Sequence, residues 1–292
     1  MSMKKWLSKN GYSLKGKTVL ITGATGGLGQ AACSYILAAG GRLLMINRDL
    51  KKSQSLCLSL RKAYPQAEME YLLADLQEIS QVKALCEELQ KRSVDIVILN
   101  AGTYAVPRKV CSTGYDVVFE TNFLSHYYLV KQLLPQLISR RGKVVAVGSI
   151  AHNYIVTDPQ DIDWSHHEGD SKIYGNSKRY LMYALMELLK NQPEVDFAIG
   201  HPGISCTGIT SNYPAGILPF VKFSMKLLFM WPPMAVRSIV KAVFAEVPYL
   251  HWVGPKYFDI WGNPKVKPLN TCSQEERRAI FERAEKIYQK LI

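Results

Sequence analysis

A strand, a glycine-rich turn and a helix follow one another directly near the start of the chain. Residues 17–22 form an apolar, β-branched run that Gly23 closes, and residues 28–39 show the small-residue pattern of a helix that ends at Gly40. Apolar runs and amphipathic stretches then alternate as far as residue 199. Strands that alternate with helices form βαβ units, in which helices cover both faces of a parallel sheet. The sequence therefore predicts an α/β fold with a doubly wound, Rossmann-type parallel sheet.

The predicted elements cover most of the chain. After the first unit we expect strands over residues 42–46, 68–73, 94–99, 143–147 and 195–199, and helices over residues 49–62, 80–90, 113–139 and 172–190. Ser273 and Glu276 form a capping box, which predicts a further helix over residues 273–291 with an apolar face. Because α/β domains of 292 residues are often undivided, we expect a single domain over residues 1–292.

Composition excludes several classes of protein. The fractions of hydrophobic residues (48%) and charged residues (21%) are those of a globular protein rather than a disordered or fibrous one. The net charge is +12, but Lys and Arg are scattered along the chain, so no nucleic-acid groove is predicted. Six widely separated cysteines predict free thiols in a reducing compartment, and residues 1–17 lack the apolar core of a signal peptide. We therefore predict a cytoplasmic protein.

The glycine-rich turn over residues 22–29 predicts a dinucleotide site, because backbone N–H groups at a helix start bind a pyrophosphate. An acidic side chain at the end of the second strand would bind a free ribose 2′-hydroxyl. The chain has Asn47 and Arg48 there, and a guanidinium suits a 2′-phosphate, so we predict NADP(H), unless Asp49 takes the acidic role. Asp75, after the third strand, either holds the adenine edge or caps a helix. The cofactor-binding residues predicted from the first four strand ends are Gly23, Thr25, Gly27, Leu28, Gly29, Asn47, Arg48, Asp75, Leu76, Asn100, Ala101 and Gly102.

Tyr174 and Lys178 are spaced i, i+4 on a predicted helix, so both side chains point to one side. A phenol has a reference pKa of about 10, and a neighbouring ammonium lowers it, so the pair can serve as an acid/base. Ser149 directly follows a predicted strand, where its hydroxyl could donate to a developing oxyanion. Asn122 is unfavourable inside a helix unless it has a role, such as in a proton relay. The predicted catalytic residues are therefore Asn122, Ser149, Tyr174 and Lys178.

These motifs and their order resemble those of the short-chain dehydrogenase/reductase family. The matching residues are Thr22-Gly23-x-x-x-Gly27-x-Gly29, Asn100-Ala101-Gly102, Asn122, Ser149, Tyr174-x-x-x-Lys178 and His201-Pro202-Gly203 with Thr207. The resemblance implies hydride transfer between nicotinamide C4 and a substrate carbon, with Tyr174 exchanging the proton and Ser149 polarising the carbonyl. It also implies that Lys178 binds the nicotinamide ribose and that Asn122 holds a water between Lys178 and solvent. Tyr174 and Lys178 thus join the predicted cofactor-binding set, as do Pro202, Gly203, Ile204 and Thr207 at the nicotinamide carboxamide.

The substrate side is predicted from residues 217–231, an apolar stretch within the segment 204–234 that forms the substrate lid in the family. Its aliphatic, aromatic and Met content suits a bulky lipophilic alcohol or ketone such as a steroid. Two other interpretations stay open: the stretch lies flat on a membrane with its lysines on the polar side, or it packs against protein.

Details around the catalytic motifs are similar to retinol dehydrogenases and to microbial hydroxysteroid dehydrogenases. They are Ser149-Ile150-Ala151-His152, Asn122-Phe123-Leu124-Ser125-His126 and His201-Pro202-Gly203. Gly175-Asn176 departs from these relatives, which more often carry bulkier residues there. A steroid and a retinol are therefore both retained as substrate hypotheses.

The sequence also bears on two other functions, on metal binding and on self-association. A redox sensor would bind NADP(H) and signal through a partner, but it would not need the catalytic set. An epimerase or dehydratase of nucleotide sugars would need a second domain, which the sequence does not indicate. Residues 161–168 are rich in acidic and His side chains without regular ligand spacing, so no metal is predicted. In the family, helices that correspond to residues 119–138 and 172–190 pair between subunits, so a homodimer or homotetramer is expected.

Overall fold

Apolar runs form the strands of one sheet, and the central strands are buried on both faces, as is typical of parallel sheets. The computed structural model describes residues 2–203, 232–255 and 263–292. The strands are β1 (Thr18–Thr22), β2 (Arg42–Asn47), β3 (Met69–Leu73), β4 (Ile96–Leu99), β5 (Lys143–Val147), β6 (Asp196–Gly200), β7 (His251–Gly254) and β8 (Lys265–Pro268). They form an eight-stranded sheet in the order β3-β2-β1-β4-β5-β6-β7-β8.

The doubly wound sheet predicted from the sequence is confirmed for β1 to β7, which are all parallel. One edge of the sheet departs from the parallel arrangement, because β8 is antiparallel to β7. A parallel pair needs a crossover of about a dozen residues or more, and residues 255–264 are too few for one. Neither β7 nor β8 was predicted, because HWVG and KVKP contain no continuous apolar run of the kind that marks β4.

Helices cover both faces of the sheet. They are α1 (Met3–Lys9), α2 (Gly27–Ala38), α3 (Leu50–Ala63), α4 (Ile79–Gln90), α5 (Val117–Phe119), α6 (Ser125–Ser139), α7 (Asp170–Leu189), α8 (Pro232–Phe244) and α9 (Gln274–Gln289), with a π-helical turn at Glu120–Leu124 and a 3-10 helix at Ile150–Tyr154. Apolar residues of α1, α2, α3 and α8 pack in one cluster, and those of α4, α6, α7 and α9 pack in another. In β1, Val19 and Ile21 belong to the first cluster and Leu20 to the second, so the strand joins both. Within the described ranges, no helix is long and apolar enough to cross a membrane.

The helix predicted over residues 113–139 begins later and is interrupted. Asp116 caps its start by accepting a hydrogen bond from the N–H of Val118 (2.8 Å), and residues 112–115 form a turn and bend before it. The π-helical turn then contains Asn122, and such turns are frequent at functional sites. The helices predicted over residues 49–62, 80–90, 172–190 and 273–291 are confirmed to within two residues at each end.

α9 lies on α6 and α7 and covers them. Its apolar face is buried in the cluster on that side of the sheet. Near one end, Glu276 pairs with Arg179 of α7 (2.6 Å), and towards the other, Glu285 pairs with Lys131 of α6 (2.9 Å). The helix predicted from the capping box therefore packs on its own domain.

The strand order places a crevice at the carboxyl ends of β1 and β4. From β1 the chain continues to β2 on one side, and from β4 it continues to β5 on the other, so the connections diverge between them. In open α/β sheets, ligands bind in the crevice at such a switch point. The residues that follow β1 and β4 are therefore the first candidates for a binding site.

Candidate active site

The turn after β1 requires glycine at two positions. Gly23 has a φ of +67°, and a Cβ there would lie 2.8 Å from Cα of Ala101. A Cβ on Gly29, in the first turn of α2, would lie 2.3 Å from the carbonyl oxygen of Gly23. The turn, the start of α2 and the loop after β4 thus approach one another at backbone contact distance. This packing brings the N–H groups at the start of α2 to the edge of the crevice.

A cavity of about 290 Å³ occupies the crevice. The residues that line it are Gly23, Thr25, Gly26, Gly27, Leu28, Gly29, Ile46, Asn47, Arg48, Ala74, Asp75, Leu76, Asn100, Ala101, Gly102, Thr103 and Thr121. All the residues predicted as cofactor-binding from the first four strand ends are among them. The structure therefore brings these residues together in one place, and their binding role stays a prediction.

Two polar side chains that line the cavity lack hydrogen-bond partners. The side chain of Asn47 is buried (3% exposed), and neither atom of its amide has a partner in the described part of the chain. The hydroxyl of Thr121 is also buried and has no hydrogen-bond partner among the described residues. Because buried polar groups are nearly always paired, both side chains favour a ligand that carries donors and acceptors. Thr121 was not predicted, since a Thr in a helical stretch gives no signal in the sequence.

The charged residues beside Asn47 have separate roles. Asp49 accepts a hydrogen bond from the N–H of Lys52 (2.9 Å), so its carboxylate is already used as the N-cap of α3. Arg48 is exposed and lines the cavity. Asp75 also lines the cavity, and its Oδ1 accepts a hydrogen bond from the N–H of Gln77 (3.0 Å). Asp75 therefore both caps a turn and faces the cavity.

Thr22 connects the ends of β1 and β4 to the π-helical turn. Its hydroxyl oxygen accepts hydrogen bonds from the N–H groups of Asn100 and Ala101, both at 3.0 Å. Its own hydrogen therefore points to Nε2 of His126 (2.9 Å), which leaves the His126 proton on Nδ1 to donate to the Asn122 carbonyl (3.1 Å). Burial lowers the pKa of His126 to about 3, which agrees with a neutral ring.

Asn122 holds the loop after β4. Its side chain is fully buried (0% exposed): Oδ1 accepts from the N–H of Thr103 (2.7 Å), and Nδ2 donates to the Thr103 carbonyl and to Oγ of Ser177, both at 3.0 Å. A Cβ on Gly102 would lie 3.3 Å from Oδ1 of Asn122 and 3.5 Å from Nζ of Lys178. Asn122 and Lys178 therefore meet behind the cavity wall. Both Oδ1 and the main-chain carbonyl of Asn122 already accept one hydrogen bond, so a water held by Asn122 would use the second lone pair of either oxygen.

Ser149, Tyr174 and Lys178 meet between the end of β5 and the start of α7. Ser149 lies two residues after the end of β5 and caps the 3-10 helix, and its hydroxyl is close enough to Tyr174 to lower the pKa of the phenol. Lys178 is buried (2% exposed), and its Nζ donates to the carbonyl of Val147 (3.0 Å). The same Nζ lies 5.8 Å from the centre of the Tyr174 ring. The structure thus brings the predicted acid/base pair and the predicted carbonyl-polarising hydroxyl together.

The electrostatics of this group differ in one respect from the sequence prediction. Part of Tyr174 is accessible, but burial raises its pKa to about 12, and the hydrogen bond with Ser149 lowers the pKa while Tyr104 raises it. Burial also lowers the pKa of Lys178 to about 8. The group that lowers the pKa of Tyr174 in this structure is therefore the Ser149 hydroxyl, and not the Lys178 ammonium as predicted. Tyr174 is a protonated phenol at neutral pH in this state.

Apolar and aromatic side chains flank Tyr174. The ring of Tyr104 packs edge-on against it, with the ring centres 5.4 Å apart. Val106 and Trp164 belong to the same small apolar cluster as Tyr174 and Ile173. These side chains form a partly apolar wall beside the phenol. Tyr104, Val106 and Trp164 were not predicted, because each lies in a loop without a periodic pattern.

The remaining predicted site residues lie after β6. Pro202 and Gly203 come after His201, the first residue beyond the strand, and Gly203 has a φ of +76°. Ile204, Thr207 and the predicted lid as far as residue 231 lie outside the described residues. The carboxamide site and most of the lid therefore stay predictions.

Hydrogen bonds between its own residues hold the acidic and His-rich loop before α7. Asp161 accepts hydrogen bonds from the N–H groups of Ser165 (3.0 Å) and His166 (2.8 Å), and His167 contacts Asp158 (3.1 Å). Among residues 2–203, 232–255 and 263–292, no group of three or more His, Cys, Asp or Glu residues could hold a metal ion. The carboxylates of this loop thus stabilise its own backbone.

Comparison with known proteins agrees with this geometry. Residues 17–157 match a family model described as short chain dehydrogenase. Retinol dehydrogenase 14 from Homo sapiens is 27% identical over 283 residues, which cover 90% of this chain and 83% of that protein. A protein from Streptomyces sp. (strain C5), named as a daunorubicin C-13 ketoreductase, is 30% identical over 193 residues, which cover 65% of this chain and 66% of that protein. The crystal structure of an uncharacterized protein from Mycobacterium Paratuberculosis has a similar fold, with a TM-score of 0.73, 24% identity and 95% of each chain covered.

Proposed function

The chain belongs to the short-chain dehydrogenase/reductase family, and from that premise we propose that it is an NADP(H)-dependent oxidoreductase that interconverts an alcohol and its ketone or aldehyde. The observation that carries this proposal is the meeting of Ser149, Tyr174 and Lys178 beside a cavity with a glycine-rich floor. A hydroxyl and a phenol that lie next to each other can together bind one substrate oxygen.

The residues present fit a dinucleotide. The N–H groups at the start of α2 would bind the pyrophosphate, and the unpartnered side chains of Asn47 and Thr121 would pair with the adenosine half. Arg48 would bind the 2′-phosphate. Pro202 and Gly203, with Ile204 and Thr207, are proposed for the carboxamide. When bound, NADP(H) supplies or accepts the hydride.

The chain's own side chains handle the proton. In the reduction direction the Ser149 hydroxyl donates a hydrogen bond to the carbonyl oxygen, and the Tyr174 phenol transfers its proton to that oxygen. In the oxidation direction the Tyr174 phenolate removes the alcohol proton. Lys178 would bind the nicotinamide ribose and stabilise the phenolate, and Asn122 would hold a relay water.

The substrate is proposed to be a bulky lipophilic alcohol or ketone, with a steroid or a retinol as the two candidates. Tyr104, Val106 and Trp164 support this proposal, because they place apolar surface beside the reacting phenol. The names of the human and Streptomyces relatives support a lipophilic substrate in the same way. The decisive experiment follows NADPH absorbance with a panel of steroid ketones, retinal and small ketones. Cofactor binding without turnover of any member would favour the redox sensor instead.

The location and assembly of the protein are proposals as well. We keep a cytoplasmic location, with peripheral membrane contact through the predicted lid as the alternative. The sequence resemblance favours a homodimer or homotetramer formed through α6 and α7. Because α9 covers both helices, we propose that pairing through them does not occur in this chain and that any self-association uses another surface.

Arg48 is expected to set the preference for NADPH over NADH. Its guanidinium is the cationic group of the cavity lining, and hydrogen bonds to charged groups contribute about 1.5–3 kcal/mol. Arg48→Leu should therefore raise the Kd for NADPH by about 10- to 100-fold and leave the Kd for NADH nearly unchanged. The measurement is a fluorescence titration with both cofactors, with Arg61→Leu on the exposed side of α3 as the control. Tighter binding of NADH by the unaltered protein would contradict this prediction.

The two reaction directions should depend on pH in opposite ways. Oxidation needs the deprotonated form of Tyr174, and burial raises the pKa of this phenol, so kcat/KM for oxidation should rise with pH through the neutral range. Reduction needs the protonated form, which is fully populated at neutral pH. Its kcat/KM should be flat there and fall in alkaline solution, where Lys178, with a pKa lowered to about 8, also loses its charge. Initial rates in both directions on one buffer series test this, and parallel profiles would count against Tyr174.

A further inference from the structure

His152 links the Ser149 backbone to a segment far away in the sequence. It lies in the 3-10 helix that follows Ser149, and its side chain is fully buried (0% exposed). Its Nδ1 lies 2.6 Å from the carbonyl oxygen of Ser149, and its Nε2 lies 3.0 Å from the carbonyl oxygen of Asn270. A carbonyl oxygen only accepts, so each bond needs an N–H on the ring. The imidazolium makes both bonds at once, and the neutral ring makes one.

Aromatic neighbours hold the ring of His152 in place. The rings of Tyr183 and Trp252 pack edge-on against it, with centres 5.8 and 5.7 Å away. Trp252 in turn stacks on His201, the residue that follows β6, with an angle of 7° between the rings. A ring packed in this way cannot turn to exchange its partners without moving β7. The packing therefore keeps Nδ1 of His152 facing the Ser149 carbonyl and Nε2 facing the Asn270 carbonyl.

The segment around Asn270 is attached to α7 as well. The hydroxyl of Tyr183 donates to the same Asn270 carbonyl (3.3 Å). Arg179, the neighbour of Lys178 in the chain, donates from Nη1 to the carbonyl of His152 (2.8 Å) and pairs through Nη2 with Glu276 (2.6 Å). The segment before α9 thus contacts both the element that carries Ser149 and the helix that carries Tyr174 and Lys178.

Several charged or titratable groups surround His152. Arg179 of α7 lies on its backbone side and is paired with Glu276 of α9. His201 lies beyond Trp252, and Lys267 of β8 lies over the Trp252 ring, with Nζ 5.7 Å from the ring centre. Burial and Arg179 lower the pKa of His152, while the two carbonyl oxygens raise it, and burial is the largest influence.

We propose that His152 is a positioning residue that transmits the placement of the Asn270 segment to the Ser149 backbone and so directs the Ser149 hydroxyl to Tyr174. This inference rests on the proposed function, because the hydroxyl pair must belong to the reaction for its placement to matter. The hydrogen bond from Ser149 lowers the pKa of Tyr174, so a displaced Ser149 leaves the phenol less acidic. Loss of His152 should therefore change the acidity of the reacting group, which loss of general stability would not do.

The experiment compares His152→Leu and His152→Gln with the unaltered protein. In His152→Leu, the apparent pKa in kcat/KM for alcohol oxidation should move to higher pH and kcat should fall by about 100-fold, as expected for a small misplacement at a reacting centre. The KM for NADP⁺ should stay within about twofold of its normal value, because the cofactor contacts are intact. His152→Gln keeps one amide donor and should recover part of kcat. Tyr183→Phe removes another bond to the same Asn270 carbonyl and should shift the pH profile in the same direction by a smaller amount. His166→Leu, at an exposed side chain outside these contacts, is the matched control, and its pH profile should be unaltered.

Hydrogen exchange supplies a readout that does not need turnover. In His152→Leu or His152→Gln, amides of residues 149–154 and 270–272 should exchange faster together, and His166→Leu should leave the exchange of both segments unchanged. An unchanged oxidation pH profile in both His152 variants, or exchange at residues 149–154 equal to that of the unaltered protein, would overturn the inference. An unaltered protein that fails to turn over any substrate would instead overturn the proposed function, and the exchange data would still decide whether His152 couples the two segments.

Discussion

Tyr174→Phe is expected to lower kcat for carbonyl reduction by about 100- to 10,000-fold, the range that a positioned general acid contributes. The phenol is the proposed proton donor, and its hydroxyl is the atom that Ser149 contacts. The phenylalanine ring can keep the edge-on packing against Tyr104, so the local structure should persist. Stopped-flow and steady-state assays with NADPH would measure the loss.

Binding separates this prediction from simple misfolding. The Kd of the Tyr174→Phe variant for NADPH should stay within about threefold of the normal value, since the cavity is lined by other residues. Tyr180→Phe is a matched control on the same helix, where the ring packs against Phe119 (5.1 Å between centres) in the core. It should keep kcat near normal. Near-normal turnover by the Tyr174→Phe variant would refute the mechanism.

Gly29→Ala is expected to lower both the stability and the cofactor affinity. Its Cβ would lie 2.3 Å from the carbonyl oxygen of Gly23 and 2.8 Å from Cα of Ala24, and both are backbone atoms that no rotamer change can move. Helix α2 would have to shift away from the turn, which costs about 1–3 kcal/mol of unfolding free energy in well-packed structures. The shift would also misalign the N–H groups proposed for the pyrophosphate, so we expect at least about a tenfold loss in NADPH affinity.

Thermal melting and a binding titration on one sample would measure both effects. Gly26→Ala is the control for stability, because Gly26 has a φ of −77° and its added Cβ would be 3.5 Å from the nearest atom, the Gly23 carbonyl oxygen. Its unfolding free energy should stay within about 0.5 kcal/mol of normal. If Gly29→Ala melted and bound NADPH like the unaltered protein, the close packing between α2 and the turn could not be what shapes the site.

The order of elements and much of the candidate site could be predicted because they depend on local patterns. The i, i+4 spacing of Tyr174 and Lys178 fixes their common side on α7, and the strand before Ser149 fixes its edge of the sheet. Asn122 is unfavourable inside a regular α-helix, and in the structure it lies in a π-helical turn instead. Each of these residues can be identified from the residues close to it in the sequence.

Other features depend on contacts that are remote in the sequence. His152 and Asn270 are 118 positions apart, and no periodic pattern relates them. Thr121 matters because it lines a cavity formed by four strand ends, which no local window contains. The effect of burial on Tyr174 also needed the structure, because the spacing predicts a neighbouring ammonium and says nothing about solvent.

The position of α9 on α6 and α7 has a consequence for biosynthesis. Tyr127 of α6 bonds to Glu285, 158 positions later in the chain, and Arg179 of α7 bonds to Glu276, 97 positions later. A polypeptide leaves the ribosome from its amino end, so the two buried helices emerge well before the helix that shields them. During that interval their apolar surface is open to chaperones or to other nascent chains. The newly made protein therefore depends on this later helix to cover what the earlier helices expose.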